Sequence, residues 1–358
     1  HNYPFIECRD QNNGGYGDAV GTASTSGDWV FDHDIFFANF QDGLDLLHSG
    51  MKSLTVTNSW SVANEGQAYK IGSGVNVIFR NNYALNNCLR IQSLFGDEPA
   101  TALTPGLSGC RSSAEGLLFS ITGTGNYYVQ GNTVAGDNAT VFDLHCDGAY
   151  DNCSAGNTIY QNNIVVGYRS SAGQNPNVFY TSGNADDIAA QADGSIHMAA
   201  NGGWATRDHN IYYDPRNCPT PLQTAETCLA WPTTPLFNGQ IGNVVSSVLD
   251  LDNYRIDLAS TSPAKASGLT IAGVTTDMDG NTFQSPRSLG ALETGSTSPP
   301  WPFTAGPTIS GTAYINGRLY PVVITGGRAT ILGVPNQTIV VGPPSSVNGV
   351  PNQSVSVP

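Results

Sequence analysis

Ten-residue blocks with alternating apolar positions and an asparagine near the end recur along the first half of the chain. They are VFDHDIFFAN (30–39), TVTNSWSVAN (55–64), VIFRNNYALN (77–86), YYVQGNTVAG (127–136) and IYQNNIVVGY (159–168). Alternation with period two turns one set of side chains inward and the other outward, and the blocks are spaced about one solenoid coil apart. Short strands, tight Gly or Asn turns and inward Val, Ile, Leu and Phe on every rung are what a stacked parallel sheet needs. The pairs Asn81-Asn82 and Asn162-Asn163 fall where such a coil turns through left-handed backbone. An antiparallel sandwich would also have short strands, but its Asn-Gly hairpin signals are almost missing between residues 20 and 170. The pattern predicts an all-β fold, a right-handed parallel β-helix with a small C-terminal β tail.

Residues 1–294 read as the solenoid, with insertions around 170–245 that include the stretch from Gly183 to Gly203. Compact signals return from Asp250 to Glu293. A Ser/Thr/Pro/Gly linker at 295–308 marks a boundary, and 309–358 read as a β-rich tail. Within that tail, strands are expected on either side of Asn316-Gly317 and Gly326-Gly327. A second repeat follows, GVPNQTIVV (333–341) and GVPNQSVSV (349–357); two such copies are too short to bury a core alone. The chain opens His-Asn-Tyr-Pro, which reads as the start of a processed product whose earlier coils are missing.

Composition narrows the function. Lys and Arg number 14 against 28 Asp and Glu, a net charge of −14, with only 12% charged residues. No basic cluster is present to neutralise phosphates, which argues against nucleic acid as a partner. The apolar runs fall far short of the roughly 18 residues of a membrane span. The 41 glycines and 32 asparagines favour turns over helical bundles. Seven cysteines and four N-x-S/T sequons (Asn138, Asn152, Asn336, Asn352) suit an oxidising setting, so the chain is expected to be secreted, extracellular or on a cell surface. Close spacing favours Cys146 with Cys153 and Cys218 with Cys228. Cys88 with Cys110 would staple an insertion, which leaves Cys8 over.

The scarce charges fall in one place. Laying the coils in register aligns Gly17-Asp18-Ala19-Val20, Leu44-Asp45-Leu46, Tyr69-Lys70-Ile71, Leu89-Arg90-Ile91 and Phe142-Asp143-Leu144. If the aliphatics fill the solenoid, Asp18, Asp45, Lys70 and Arg90 project outward as a stripe on rungs about 4.8 Å apart, with Asp42 at the turn beside Asp45. Asp18, Asp42 and Asp45 are hard oxygen ligands suited to Ca²⁺. Lys70, beside a cation and Arg90, is expected to have a lowered pKa and to serve as a base. That set suits removal of a proton beside a uronate carboxylate, with departure of the C4 oxygen and an unsaturated product. Turn capping by the aspartates and a salt bridge from Lys70 to Asp45 are the bland counterparts of these roles.

The segment QDGLDLLHSGMKSLTVTNSWSVANEGQAYKIGSG (41–74) resembles the core of the family-9 pectate lyases, whose pattern runs D-D-G-F-D, then an Asn-Ser-Trp strand, then G-x-x-F-K-L-G. The resemblance covers about residues 15–90. It implies that Asp42, Asp45 and Asp18 bind calcium and that Lys70 is the catalytic base. Gln41 departs from the pattern, which usually has an acid there. More broadly, CRDQNNGGYGDAVGT to NEGQAYKIG and SPAKASGLTIAGVTTDMDGN to RSLGALE are similar to exported bacterial right-handed parallel β-helix repeat proteins.

Other residues carry weaker signals. Arg90 and His48 are candidate substrate-binding residues, and Glu65 is a possible further metal ligand or a turn cap. Asp277-Met278-Asp279-Gly280-Asn281 mimics the start of a calcium loop but has Ser288 where the loop needs Glu, so a structural turn is expected. His145, Cys146 and Cys153 suggest zinc less well than a disulfide loop, and Asp208-His209 lacks a nucleophile motif. Two functional classes result. One is a calcium-dependent polysaccharide lyase acting on acidic, pectate-like glycan. The other is a non-catalytic structural or adhesive solenoid that joins copies of itself into filaments through its open coil end and tail.

Overall fold

In the computed structural model the chain is all-β, and its largest part is a parallel β-helix. The structure describes residues 18–22, 25–37, 39, 42–47, 50–62, 64, 66–72, 76–86, 116–121, 125–136, 142–146, 157–167, 180–182, 204–213, 222–229, 258–293, 309–315, 318–325, 328–331, 337–340 and 354–357. Six coils each give one strand to each of three sheets. The first three coils hold β1 (Val20–Gly21), β2 (Asp28–Asp32) and β3 (Ile35–Phe37); β4 (Leu44–Leu46), β5 (Ser53–Thr57) and β6 (Trp60–Val62); β7 (Tyr69–Gly72), β8 (Asn76–Arg80) and β9 (Tyr83–Asn86). The next three hold β10 (Leu117–Ile121), β11 (Asn126–Gln130) and β12 (Thr133–Gly136); β13 (Phe142–Cys146), β14 (Asn157–Gln161) and β15 (Ile164–Gly167); β16 (Tyr180–Ser182), β17 (Trp204–Asp208) and β18 (Ile211–Tyr213). Sheet A runs β1-β4-β7-β10-β13-β16 and sheet B β2-β5-β8-β11-β14-β17. Sheet C runs β3-β6-β9-β12-β15-β18 and ends in β19 (Thr227–Leu229). No helix among the described residues is long and apolar enough to cross a membrane.

Each ten-residue block is therefore two strands, one in sheet B and one in sheet C, joined by a two-residue turn. The first turn residue is left-handed in all six coils: His33, Asn58, Asn81, Gly131, Asn162 and His209, with φ from 51° to 69°. Asparagine and glycine tolerate that conformation best. The second residue is Asn82, Asn132, Asn163 and Asn210 in the last four coils, and these four make a ladder. The Asn82 amide N–H donates to Asn132 Oδ1 (2.9 Å), Asn132 N–H to Asn163 Oδ1 (3.0 Å) and Asn163 N–H to Asn210 Oδ1 (2.9 Å). Their Nδ2 groups donate to the carbonyls of Val56, Phe79, Val129 and Tyr160. Buried backbone groups that no strand could satisfy are thereby paired.

Glu226, in register with Asn210, ends the ladder. Its Oε1 accepts from Asn210 Nδ2 (2.9 Å) and from the Tyr212 hydroxyl (2.8 Å), and its Oε2 pairs with Arg207 Nη2 at 3.1 Å. Part of the stretch read as insertion thus carries the sixth coil. Cys228 is disulfide-bonded; its expected partner Cys218 lies outside the described residues.

The interior is filled by in-register stacks such as Leu44, Tyr69 and Leu117, or Phe31, Val56, Phe79, Val129 and Tyr160. Edge-on aromatic contacts link Phe36, Tyr69, Phe79, Phe119 and Tyr127, with ring centroids 5.0–6.5 Å apart. The outer face of sheet C is also apolar, with Trp60, Val62, Tyr83, Leu85, Ile164, Val166 and Ile211 buried against a strap. That strap is the 258–293 segment, which the sequence pattern assigned to the solenoid itself. Within the described residues it forms isolated bridges instead of strands. Asn162 clamps it by accepting from Leu269 N–H (2.9 Å) and donating to Leu269 C=O (2.7 Å). Inside the strap, Arg287 stacks on Phe283 and bonds the carbonyls of Ser288 and Gly290. Burial pulls the Arg287 guanidinium down to about 10, partly offset by Glu293 and Asp277.

In the tail, β20 (Ile309–Ile315), β21 (Arg318–Thr325) and β22 (Arg328–Ile331) pair antiparallel, with Ile315 opposite Arg318 and Thr325 opposite Arg328. They flank the expected Asn-Gly and Gly-Gly turns. The two GVPNQ repeats pair with each other, β23 (Gln337–Val340) against β24 (Ser354–Val357).

Two predictions follow from this packing. Asn132→Ala removes one acceptor and two donated bonds from a buried turn and should cost about 2 kcal/mol or more in a urea titration. Gln130→Ala, in an outer row, should cost less. Tyr69, Tyr160 and Tyr212 are fully buried, and burial first, then nearby negative charge, raises their hydroxyls well above the ordinary value of 10.0. Their raised folded values mean stability is complete below pH about 10 and is lost above it, as the unfolded chain ionises first. The loss should reach about 1.4 kcal/mol per pH unit for each tyrosine, read as midpoint denaturant concentration against pH.

Candidate functional site

The outer row of sheet A is fixed by strand pairing. Gly21 pairs with Asp45, Asp45 with Lys70, Lys70 with Leu118, Leu118 with Asp143 and Asp143 with Tyr180. Two details of the expected stripe are thereby corrected. The rung beside Lys70 carries Leu118; Arg90, between β9 and β10 in sequence, lies outside the described residues. Asp18 stands three residues before Gly21, as Asp42 stands three before Asp45, so Asp18 aligns with Asp42 at the turn entering sheet A.

At that turn the aspartates build a second ladder. Asp42 N–H donates to Asp18 Oδ1 at 2.9 Å, and Gln67 N–H donates to Asp42 Oδ1 at 2.7 Å. Each carboxylate is aimed by the backbone of the next coil. Asp42 is fully buried and Asp18 nearly so. Asp45 uses Oδ1 to accept from Leu47 N–H (3.1 Å), while its Oδ2 lies 3.1 Å from Lys70 Nζ. Asp42 Oδ2 lies 3.6 Å from the same nitrogen, and the Lys70 side chain is only 14% exposed.

One carboxylate oxygen from each of Asp18, Asp42 and Asp45 lies within 4.8 Å of the other two. Ca²⁺ takes oxygen ligands at 2.3–2.6 Å, so ligands across the ion sit up to about 5 Å apart. Three hard oxygens within that span fit calcium, and the turns that carry them are closely packed at glycine. A Cβ on Gly21 would collide with Asp18 Oδ2, and one on Gly43 with Ser61 Oγ and the Ala68 carbonyl. Behind Gly43, Asn64 Nδ2 donates to Ser61 Oγ (2.9 Å), and Asn64 Oδ1 accepts from both the backbone and side-chain nitrogens of Asn39.

Gln67, Gly21, Gly43 and Asn64 escaped sequence reasoning. The signal was present in the 24- and 25-residue steps from Asp18 to Asp42 to Gln67. The structure brings together Asp18, Asp42, Asp45 and Lys70. His48, Glu65 and Gln41 lie outside the described residues, as do Cys8, Cys88, Cys110 and Cys153. His145 and Cys146 belong to β13, whose side chains are not described. Asp277 closes its own loop, accepting from the N–H groups of Asp279, Asn281 and Glu293, as expected of a structural turn. His209 Nδ1 sits 3.1 Å from Asp208 Oδ1 at the end of an outer row where Gln130 donates to Gln161 and Gln161 to Asp208.

The fold and site define a class, a parallel β-helix with a carboxylate and lysine cluster on the face of one sheet. In comparisons with family models and with curated proteins, the chain matches none.

Gly43→Ala should disrupt the turn that holds Asp42, lowering the melting temperature by several degrees in a circular-dichroism melt. A change of that kind at the open turn residue Gly273, whose added Cβ meets nothing within 4 Å, should do less, reflecting only its left-handed backbone.

Proposed function

We propose that this chain is an exported β-helical polysaccharide lyase that cleaves acidic, pectate-like glycan by β-elimination. The observation that carries the reading is the convergence of Asp18, Asp42 and Asp45 with Lys70 on adjacent rungs of one sheet face. The resemblance of residues 41–74 to family-9 pectate lyases supports it, and the Cys228 disulfide supports an oxidising compartment.

Asp18, Asp42 and Asp45 would hold the calcium, which when bound neutralises the uronate carboxylate and favours charge developing beside it. Lys70 Nζ, released from Asp45 and having given its own proton to solvent, would take the C5 proton. The C5–H electron pair forms the C4–C5 double bond as the C4–O bond breaks, and the leaving oxygen takes a proton from solvent. No water enters the product. Asp42, anchored by Gln67 N–H, positions the cluster; Asp45 links it to the base. Arg90 and His48, the expected substrate-binding residues, lie outside the described residues.

Incubation with polygalacturonate and calcium should yield a product absorbing in the ultraviolet band of unsaturated uronides. Lys70→Ala should lower its rate by about 10²- to 10⁴-fold, and Asp42→Asn should raise the calcium needed for half-maximal rate. Absence of the product across a panel of acidic glycans at neutral to alkaline pH would refute the reading.

One observation favours a second reading, a self-assembling surface solenoid. Among the described residues the GVPNQ repeats form a two-stranded ribbon, an element marginal alone. Sedimentation showing filaments that vanish without residues 296–358 would support it, and a strictly monomeric full chain would remove it.

A further inference from the structure

The carboxylate cluster already holds a cation of its own. Lys70 Nζ sits 3.1 Å from Asp45 Oδ2 and 3.6 Å from Asp42 Oδ2, on a side chain that is mostly buried. These are two of the three residues whose oxygens converge. A divalent ion seated among them would stand within a few ångströms of the ammonium, where like charges in a partly buried site repel strongly. Both cannot keep the same two oxygens.

We propose that Lys70 is the resident counterion of this cluster and that calcium binds by displacing it. The site then has two states. In one, the Lys70 ammonium bridges Asp42 and Asp45 and keeps these four groups, three negative and one positive, from the full repulsion of three adjacent carboxylates. In the other, the metal takes the oxygens and the Lys70 side chain swings out along the row toward Leu118, onto the face where glycan would lie. Loading the metal frees Lys70 from both carboxylates; it leaves as the ammonium and gives its proton to solvent before it can act as a base. Asp18 and Asp42 stay put in both states, because their Oδ1 atoms are tied to the next coil's backbone. This inference rests on the calcium reading above and adds to it a competition that the reading alone does not require.

Titration calorimetry with calcium chloride on the full chain tests it without reference to activity. Lys70→Met removes the competitor and should bind calcium at least about tenfold more tightly than the wild type. Lys70→Arg keeps the positive charge and should stay close to the wild type. In thermal melts without calcium, Lys70→Met should unfold at a lower temperature than the wild type, and calcium should raise its melting temperature more. Equal affinities for wild type and Lys70→Met, or equal tightening in the Arg and Met variants, would overturn the competition while leaving calcium binding intact. No binding heat and no thermal shift in any of the three would overturn it together with the calcium reading.

Discussion

A coil that reverses direction through two residues leaves backbone N–H and C=O groups inside the protein with no strand partner, and the rest of this structure depends on how they are satisfied. The side-chain amide of asparagine is the smallest group that both accepts from one N–H and donates to one C=O. Placed at the same turn of successive coils, each Asn serves the backbone of its neighbour and passes a donor onward, from Asn82 through Asn132 and Asn163 to Asn210. The ladder fixes the register of all three sheets at once, because a one-residue slip in any coil would strand two buried bonds and turn its strands inside out. It also needs an end. Glu226 supplies one that accepts without passing a donor on, and its buried charge is matched by Arg207.

The candidate site borrows the same device with a different side chain. At the turn entering sheet A, Asp18 and Asp42 accept the next coil's N–H as the asparagines do. A carboxylate has no donor to pass on, so its second oxygen serves no carbonyl; that of Asp42 lies 3.6 Å from Lys70 Nζ. Asp in a ladder position thus replaces a donated bond with a second buried carboxylate oxygen, held by backbone on a rigid element. Asp45 and Lys70 then need only their strand register to meet these oxygens.

How much of this was legible follows from which interactions are local. The blocks, the left-handed Asn81 and Asn162, and the alternation of inward Leu44 and Leu46 with outward Asp45 are short-range signals, and they yielded the β-helix and the Asp42, Asp45 and Lys70 cluster. Arg90 misled because Leu89-Arg90-Ile91 has the same local pattern as a true rung. Only the pairing of Tyr69 with Leu117 shows that the chain inserts a long segment before the next coil, and pattern alone cannot count insertion lengths. The strap was illegible for a related reason: Leu258, Met278, Leu289 and Leu292 cover sheet C as an irregular segment, whose apolar spacing has no period to read.

The strap also explains why the three faces are not equivalent. Sheet C, with Trp60, Tyr83 and Ile164 facing outward, would expose an apolar surface that a soluble protein rarely leaves open, and 258–293 covers it. Among the described residues sheet B presents hydrogen-bonded polar rows, from Arg80 through Gln130 and Gln161 to Asp208, which satisfy one another and need no cover. Among the described residues, only on sheet A do carboxylates and a lysine converge. Charge is scarce in this chain, and concentrating it where neighbouring backbone holds it fixed costs repulsion that a random surface placement would avoid. The convergence on sheet A is therefore the feature of the fold that packing alone does not account for, and it is there that a ligand has something to stabilise.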